Sequence, residues 1–180
     1  MNKNNTAVYN TSDLFTPEQV KEINKKIKEN ILKTKIKGAM NAVKKGEFFD
    51  AQCGPLMNLL HPWLFECQII NKEFFGYDTY WDFHVENYSY NVYGKTGEYG
   101  WHIDANPTQT PIDMKLTCLL NLSEEPYEGG EFCTVGSDEK IRFDSGMGLI
   151  LTSLIAHKVT PITKGERTTL TYWAYGPSWR

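Results

Sequence analysis

The sequence feature that most constrains the fold is a change of periodicity near Thr79. From there to about Pro177, apolar and polar residues alternate in short runs that are rich in aromatic and β-branched side chains. Alternation at a period of two is typical of strands that bury one face, and clusters of Gly, Asn, Asp and Pro mark the turns between them. Eight or nine such runs predict a mainly β core, either a double-sheet jelly roll or a barrel. The predicted strands cover residues 80–85, 89–93, 99–103, 115–122, 130–135, 140–143, 147–151, 157–161 and 168–174.

The residues before this β core predict supporting helices. A capping hydroxyl at Thr16 is followed by proline and glutamate, and apolar residues then recur every three or four positions, which predicts a helix to about Thr34. The same spacing predicts a second helix over residues 55–75, with a break near Pro62. We expect both helices to brace the same sheet.

Two N-terminal segments carry weaker patterns. Residues 1–12 are polar and are expected to be loose, and residues 36–53 combine two glycines with an interrupted apolar pattern that fits a loop or a short helix. The whole chain of 180 residues fits a single domain. In that domain, helical support over about 13–75 would precede the β core over about 79–177.

Charge and cysteine spacing argue against several functional classes. The net charge of -3 and the pI near 5.8 give no basic field for nucleic-acid binding, so small or peptidic substrates are favoured. No apolar run reaches the ~20 residues that cross a bilayer.

The four cysteines are too dispersed for a CxxC motif, and residues 1–10 lack the apolar segment of a secretion signal. We therefore expect a cytoplasmic protein with reduced thiols.

Two histidines and one aspartate predict a metal site. His102 and Asp104 are two residues apart, so in an extended strand their side chains project from the same face and can meet one ion. His157 follows 53 residues after Asp104, in another strand-like run. Two histidine nitrogens and one carboxylate are the ligand set of non-haem iron(II) oxygenases, and this set leaves coordination positions open for other molecules.

Ordinary structural roles compete with this interpretation. A His-x-Asp motif alone is more typical of a hydrogen-bonded pair at a strand edge, and only its combination with His157 and Arg167 favours a metal. The other two histidines lack ligand spacing. Because His61 precedes a proline and His84 shares its strand face with acidic residues, we assign both to structure or surface.

Arg167 predicts a site for an anionic co-substrate. It lies ten residues beyond His157 on the next predicted strand, where its guanidinium could grip a carboxylate through two hydrogen bonds. Arginine is usually a surface residue. The same strand face, however, carries Thr169, Thr171 and Trp173, an amphipathic row that suits a polar pocket inside a small barrel.

A series of short motifs links these candidate site residues. The motifs are Tyr93-Gly94, Tyr99-Gly100-Trp101-His102-Ile103-Asp104, Leu119-Leu120-Asn121-Leu122-Ser123, Tyr127-Glu128-Gly129-Gly130-Glu131-Phe132, Gly148-Leu149-Ile150, Ala156-His157-Lys158-Val159-Thr160-Pro161-Ile162, Gly165-Glu166-Arg167-Thr168-Thr169-Leu170, Trp173 and Gly176-Pro177. Each is weak alone. In this order and at these spacings, the set resembles the iron(II)- and 2-oxoglutarate-dependent oxygenases, specifically the prolyl-4-hydroxylase-like branch of bacteria and bacteriophages.

The resemblance implies a double-stranded β-helix (jelly-roll) core braced by the N-terminal helices. The iron(II) ligands and catalytic residues that it implies are His102, Asp104 and His157. The residues that it implies for 2-oxoglutarate are Arg167, Thr169 and Tyr93. Dioxygen would be the second co-substrate, with ascorbate as a candidate reductant. Some relatives carry a further 2-oxoglutarate-binding tyrosine on the strand where this chain has Leu119 and Leu120, so the remaining contacts of that carboxylate are unassigned.

The activity that the resemblance implies is hydroxylation of a prolyl residue in a peptide or protein, with release of succinate and carbon dioxide. The carboxylate of Asp104 favours hydroxylation over halogenation, because halogenating relatives leave that position free for chloride. Free amino acids or other small molecules are alternative substrates, since substrate choice depends on loops such as residues 95–98 and 105–113.

Two other functional classes remain open. One is a non-enzymatic jelly-roll binding module with a structural zinc, which would need a fourth protein ligand. The other is a cupin-type enzyme without 2-oxoglutarate, which would not need Arg167. The sequence does not indicate an oligomeric state.

Overall fold

The computed structural model describes residues 8–37, 43–83, 88–105, 112–136 and 140–179. The strands in these residues are β1 (Val8–Asp13), β2 (Ile31–Lys37), β3 (Lys44–Lys45), β4 (Glu47–Ala51), β5 (Tyr88–Tyr93), β6 (Glu98–His102), β7 (Ile112–Asn121), β8 (Glu128–Gly129), β9 (Phe132–Thr134), β10 (Met147–Thr152), β11 (His157–Val159), β12 (Ile162–Lys164) and β13 (Arg167–Pro177). The α-helices are α1 (Pro17–Glu29) and α2 (Met57–Ile70). A 3-10 turn (Gly54–Leu56) precedes α2, and a π-helical turn (Asn71–Phe75) follows it.

Two antiparallel sheets form the core. The larger sheet has seven strands in the order β1-β10-β7-β13-β5-β4-β2, and the smaller has four in the order β3-β6-β11-β9. A separate two-stranded ladder joins β12 to β8. Side chains from both main sheets line one internal pocket. This arrangement is a double-stranded β-helix, and it confirms the predicted fold class.

Strand β13 shows how alternation separates the pocket from the hydrophobic core. Leu170, Tyr172 and Ala174 are buried in the main hydrophobic cluster, whereas Thr169 and Thr171 line the pocket. Because β13 pairs with β5 on one side and with β7 on the other, its polar face lies in the middle of the larger sheet. The strand therefore presents polar side chains to the interior without an exposed edge.

The two helices pack on the apolar face of the larger sheet. A capping box begins α1, in which the Thr16 hydroxyl accepts from the Gln19 backbone N–H at 3.4 Å and the Gln19 side chain accepts from the Thr16 N–H at 2.9 Å. The helical residues buried with sheet residues in one cluster are Val20, Ile23, Ile27, Leu60, Trp63, Leu64, Cys67 and Ile70. This burial confirms that the helices support the sheet.

The first helix is shorter than its spacing predicts. It ends at Glu29, so the predicted continuation to Thr34 is wrong. Strand β2 begins at Ile31 and pairs with β4. An apolar residue four positions after Ile27 fits a helix and a new strand equally well, so spacing alone could not place the boundary.

The predicted break at Pro62 is also wrong, because α2 continues through it. A proline inside a helix costs about 3 kcal/mol. The neighbouring Leu60, Trp63 and Leu64 are buried, and burying one large apolar side chain contributes about 1.5–3 kcal/mol. Tertiary packing on both sides of the proline therefore outweighs the local penalty.

The N-terminal part contributes strands that the sequence does not predict. The segment expected to be loose contains β1, which pairs with β10 at the edge of the larger sheet. Residues 36–53, for which only a loop or a short helix is indicated, contain β3 and β4. These strands extend both sheets beyond the predicted β core.

Two predicted strands are reduced to isolated bridges. The described part of residues 80–85 pairs only at Tyr80, opposite Tyr175, and residues 140–143 pair only at Ile141, opposite Phe132. The other predicted strands are present with shifted ends.

The cysteines are all free, and Cys53, Cys67 and Cys118 are buried. Across the described ranges, no helix is long and apolar enough to cross a membrane.

Candidate active site

His102, Asp104 and His157 come together in one pocket. Strands β6 and β11 pair antiparallel in a register that sets His102 opposite His157, and Asp104 follows two residues later. His102 Nε2 lies 3.4 Å from Asp104 Oδ1, and His157 Nε2 lies 3.7 Å from Asp104 Oδ2. One ligand atom from each residue lies within 4.8 Å of the others, so a single ion could contact all three.

Backbone carbonyl groups orient both imidazole rings. His102 Nδ1 lies 2.8 Å from the Gly100 carbonyl oxygen, and His157 Nδ1 lies 3.0 Å from that of Ile155. A carbonyl oxygen only accepts hydrogen bonds, so each Nδ1 carries the hydrogen and each Nε2 keeps a free lone pair. Both Nε2 atoms face Asp104, and this arrangement could hold a metal ion.

The environment of Asp104 favours its ionised form. Burial alone would raise the pKa of this carboxyl group. The hydrogen bond from the Thr117 hydroxyl and the two facing histidines outweigh burial and hold the pKa of Asp104 below its usual value. Burial lowers the pKa of His157, although Asp104 opposes the shift, so the ring is neutral at pH 7. A carboxylate and a neutral imidazole are the protonation states that bind a metal.

Two donors from the larger sheet hold one oxygen of this carboxylate. The Thr117 hydroxyl donates to Asp104 Oδ2 at 2.7 Å, and Trp173 Nε1 donates to the same oxygen at 3.4 Å. The Thr117 hydroxyl also lies 3.0 Å from the Ser153 hydroxyl. The carboxylate is therefore fixed from the sheet opposite the two histidines.

Thr117→Val should weaken binding of the iron(II) that the sequence resemblance implies by about tenfold to a hundredfold, the usual effect of losing an outer partner of a metal ligand. Valine keeps the shape of threonine but cannot donate to Asp104. Anaerobic titration of iron(II) into the purified variant measures the effect. Thr134→Val is the matched control, because Thr134 is buried opposite His157 and none of the hydrogen bonds to Asp104 comes from it. Equal iron affinity in the two variants would contradict this role of Thr117.

Arg167 lies in the same pocket and is 2% exposed. Its guanidinium carbon lies 5.5 Å from the ring centroids of both Tyr93 and Phe143. Nε and Nη2 are buried and have no hydrogen-bond partner within the described part of the chain. Buried donors without partners are costly, so these N–H groups suit an anion that arrives from outside the chain, such as a carboxylate.

Thr169 and Tyr93 line the pocket beside Arg167. Thr169 follows Arg167 by two residues on β13, and Tyr93 is opposite Arg167 in the ladder between β5 and β13. Burial raises the pKa of Tyr93, so its hydroxyl stays protonated and can donate a hydrogen bond. All six residues that the sequence predicts for the site therefore line one pocket.

Gly130 leaves room for the Arg167 side chain. From the sequence alone, the pair Gly129-Gly130 predicts only a turn. The φ of Gly130 is +64°, and a Cβ at this position would lie 3.0 Å from Arg167 Cδ and 2.3 Å from Ile162 Cδ1. A side chain here would therefore strain the backbone and press on the arginine.

Gly130→Ala should lower Tm and should weaken binding of the 2-oxoglutarate that the sequence resemblance implies by about tenfold, the effect of losing one hydrogen bond to a charged group. Gly136→Ala is the matched control, because Gly136 has a φ of +78° but no heavy atom within 4 Å of its would-be Cβ. The control should lose stability without losing affinity. Thermal unfolding and calorimetric titration separate the two effects. A loss of affinity in both variants, or in neither, would contradict the contact with Arg167.

The pocket wall also contains residues that the sequence alone does not assign to the site. They are Lys44, Asn91, Tyr99, Thr117, Leu119, Phe132 and Val159. Leu119, on β7, is buried and contributes an apolar side chain to this wall. Lys44 comes from β3, in a segment with no clear strand pattern, and no signal in the sequence could have placed it here.

The remaining histidines are not brought to this pocket. His61 is exposed on α2, where its ring stacks 5.7 Å from Phe65, in agreement with a surface role. His84 and residues 106–111 of the loop after Asp104 lie outside the described residues.

Comparison with known sequences identifies relatives of the β core. Residues 88–175 match the family model of the 2OG-Fe(II) oxygenase superfamily. A PKHD-type hydroxylase of Alteromonas mediterranea is 37% identical over 93 residues, which cover 47% of this chain and 41% of the relative. A PKHD-type hydroxylase of Shewanella frigidimarina is 33% identical with the same coverage. The chain thus spans 41% of the length of these curated relatives.

Solved structures with a similar fold include several prolyl hydroxylases. The viral collagen prolyl hydroxylase of Paramecium bursaria Chlorella virus-1 superposes with a TM-score of 0.72 at 15% identity, covering 95% of this chain and 97% of that one. A prolyl-4-hydroxylase of Pseudomonas putida gives 0.67 at 16% identity, with coverages of 96% and 94%. A Trichoplax adhaerens prolyl hydroxylase, in complex with a hypoxia inducible factor peptide fragment, gives 0.68 at 14% identity, with coverages of 97% and 86%. At these identities the likeness concerns the fold.

Proposed function

We propose that this protein, whose residues 88–175 match the family model of the 2OG-Fe(II) oxygenase superfamily, is an iron(II)- and 2-oxoglutarate-dependent dioxygenase that hydroxylates its substrate. The proposal includes a single oxygenase domain, in which the segment over about 13–75 supports the core.

The observation that carries the proposal is the pairing of two different sites in one pocket. Three ligands can hold a metal while leaving positions open, and a buried arginine offers N–H groups that nothing in the described chain satisfies. A metal and a carboxylate-bearing co-substrate together account for both features. Either ligand alone would leave one of the features unexplained.

The side chains have separate tasks in this proposal. The residues that would hold iron(II) are His102, Asp104 and His157. The residues that would hold 2-oxoglutarate are Arg167, at the carboxylate far from the metal, with Thr169 and Tyr93 as further donors. When bound, iron(II) and 2-oxoglutarate supply the oxidative chemistry, in which dioxygen is consumed, succinate and carbon dioxide are released and the substrate gains a hydroxyl group.

The protein contributes orientation and a largely water-excluded pocket. Leu119, Phe132 and Val159 form apolar parts of the wall and are buried. The Tyr99 ring stacks on His102 with centroids 3.4 Å apart, and the Phe132 ring stacks on His157 at 5.2 Å. Rings fixed in this way hold the ligand nitrogens in place before an ion binds, which reduces the cost of ordering them.

For the substrate, we propose a prolyl residue in a peptide or protein. This choice is supported by the prolyl hydroxylases among the proteins of similar fold, one of which is in complex with a peptide fragment. A free amino acid or another small molecule is the alternative.

A structural zinc site is less well supported. Structural zinc takes four protein ligands, whereas the group of metal-ligating side chains found in the described ranges contains only His102, Asp104 and His157. A zinc-stabilised binding module would also leave the buried N–H groups of Arg167 without a hydrogen-bond partner among the described residues.

The direct test is anaerobic reconstitution with iron(II), followed by a succinate assay with 2-oxoglutarate, dioxygen and ascorbate as reductant. We expect slow succinate release without substrate and faster release with a prolyl peptide from a proline-containing library. Mass spectrometry should then find one oxygen atom added to the peptide. A reconstituted protein that releases no succinate with any substrate would contradict the oxygenase proposal, and oxygen added only to free small molecules would contradict the prolyl assignment.

A further inference from the structure

A second cation lines the pocket beside the proposed metal ligands. Lys44 lies on β3, directly opposite Tyr99 of β6. Its Nζ lies 4.7 Å from the centroid of the Tyr99 ring, which stacks on His102. The ammonium group is therefore held next to the strand that carries His102 and leads to Asp104.

The identified polar contact of Lys44 among the described residues is a side-chain amide. Its Nζ donates one long hydrogen bond of 3.4 Å to Asn91 Oδ1, and this oxygen also accepts from the Ser89 hydroxyl. The Phe48 ring centroid lies 3.8 Å from Nζ. The ion pairs identified near this site in the described ranges join Lys45 to Glu98 and the two histidines to Asp104, and none of them includes Lys44. An ammonium group has three N–H donors, so Lys44 can make further hydrogen bonds to a ligand.

The ammonium form of Lys44 persists despite partial burial. Burial lowers the pKa of Lys44 to about 8, and the nearby charge of Asp104 opposes the shift. The group is therefore mainly protonated at pH 7.

The charges of the proposed complex balance without Lys44. Asp104 and Arg167 contribute opposite single charges, and the iron(II) dication offsets the 2-oxoglutarate dianion. Lys44 adds the only other formal charge among the described residues that line the pocket, since the histidines bind as neutral rings. One positive charge is left over. A partly buried cation of this kind favours an anionic partner.

We propose that Lys44 binds a carboxylate group of the primary substrate, so that the enzyme selects substrates bearing an acidic group close to the hydroxylated carbon. This inference rests on the proposed function and refines its substrate class. The carboxylate could be the free α-carboxylate of an amino acid or chain end, or the side chain of Asp or Glu beside the reacting residue. Both sources offer the same charge-assisted hydrogen bonds to the ammonium.

The test compares matched acids and amides on protein loaded with manganese(II) and 2-oxoglutarate without dioxygen, so that binding is measured independently of turnover. One arm uses the free amino acids with their α-amides. The other uses proline-containing peptides with Asp or Glu next to proline, each paired with its Asn or Gln counterpart. Calorimetric titration gives the affinity of each probe.

The variants isolate the charge of Lys44. Lys44→Met keeps the approximate length without the charge, and Lys44→Arg keeps the charge. Lys45→Met is the control, because Lys45 is the exposed neighbour whose ammonium forms an ion pair with Glu98. In wild type and Lys45→Met, at least one acid should bind about tenfold to a hundredfold more tightly than its amide. This preference should disappear in Lys44→Met and persist in Lys44→Arg, while 2-oxoglutarate affinity stays within about threefold.

Three results would overturn the inference. The first is no preference for any acid in a wild-type protein that binds manganese(II) and 2-oxoglutarate. The second is an acid preference that survives Lys44→Met. The third is a large loss of 2-oxoglutarate affinity in Lys44→Met, which would assign Lys44 to the co-substrate. A wild-type protein that binds neither manganese(II) nor 2-oxoglutarate would instead contradict the proposed function itself.

Discussion

Asp104→Ala should weaken iron(II) binding by at least about a hundredfold and remove nearly all 2-oxoglutarate turnover, while the fold remains intact. Loss of an outer partner of a metal ligand already costs about tenfold to a hundredfold in affinity, and this change removes one of only three proposed protein ligands. The remaining imidazoles keep their backbone hydrogen bonds to Gly100 and Ile155. The site would therefore lose its only anionic ligand without losing its framework.

The iron content after anaerobic reconstitution, together with circular dichroism, checks this result. Asp113→Ala is the control, because Asp113 is also a buried carboxylate on β7 and accepts the Trp179 backbone N–H at 2.6 Å, away from the metal ligands. It should lose stability but keep its iron. Wild-type iron content in Asp104→Ala would remove Asp104 from the ligand set.

Arg167→Lys should weaken 2-oxoglutarate binding by about tenfold to a hundredfold and leave iron(II) affinity almost unchanged. Lysine keeps the positive charge but loses the planar fork, so one of two charge-assisted hydrogen bonds is lost or weakened, at about 1.5–3 kcal/mol. Lysine also lacks the planar guanidinium that lies near the Tyr93 and Phe143 rings. The metal ligands belong to β6, β11 and the residues just after β6, and this substitution alters none of them.

Separate titrations of iron(II) and 2-oxoglutarate distinguish the two roles. Arg142→Lys makes the same chemical change at an exposed arginine that pairs with Asp144, and it should bind both ligands like wild type. A variant at Arg167 with unchanged 2-oxoglutarate affinity and weakened iron binding would place this arginine elsewhere in the site.

The parts of the site that the sequence predicted are those that follow from strand geometry. His102 and Asp104 share a strand face because their spacing matches the two-residue period, and Thr169 follows Arg167 by the same rule. They come close to His157 because β6 pairs with β11. His102 and His157 are 55 residues apart in the sequence. The order of the motifs, through the family that they resemble, supplied this long-range information.

The parts that the sequence did not predict depend on pairing between strands whose own sequence pattern is weak. Strand β1 is polar in pattern and is ordered by backbone hydrogen bonds to β10 at a sheet edge. Strand β3 has only two residues, and it brings Lys44 into the pocket because it pairs with Tyr99 and Glu98. Neither segment has enough apolar periodicity to be recognised as a strand by itself.

The Arg167 N–H groups that find no partner among the described residues relate ligand binding to the stability of the fold. A ligand that binds only the folded state stabilises it by about 2.7 kcal/mol at one hundred times its Kd, and here the ligand would also satisfy donors that are buried without partners. Changes of 1–2 kcal/mol in stability can alter the abundance of a protein in cells severalfold, because unfolded molecules are degraded. Under the proposed function, bound 2-oxoglutarate should therefore raise the free energy of unfolding of this protein, which thermal unfolding with and without the ligand would measure.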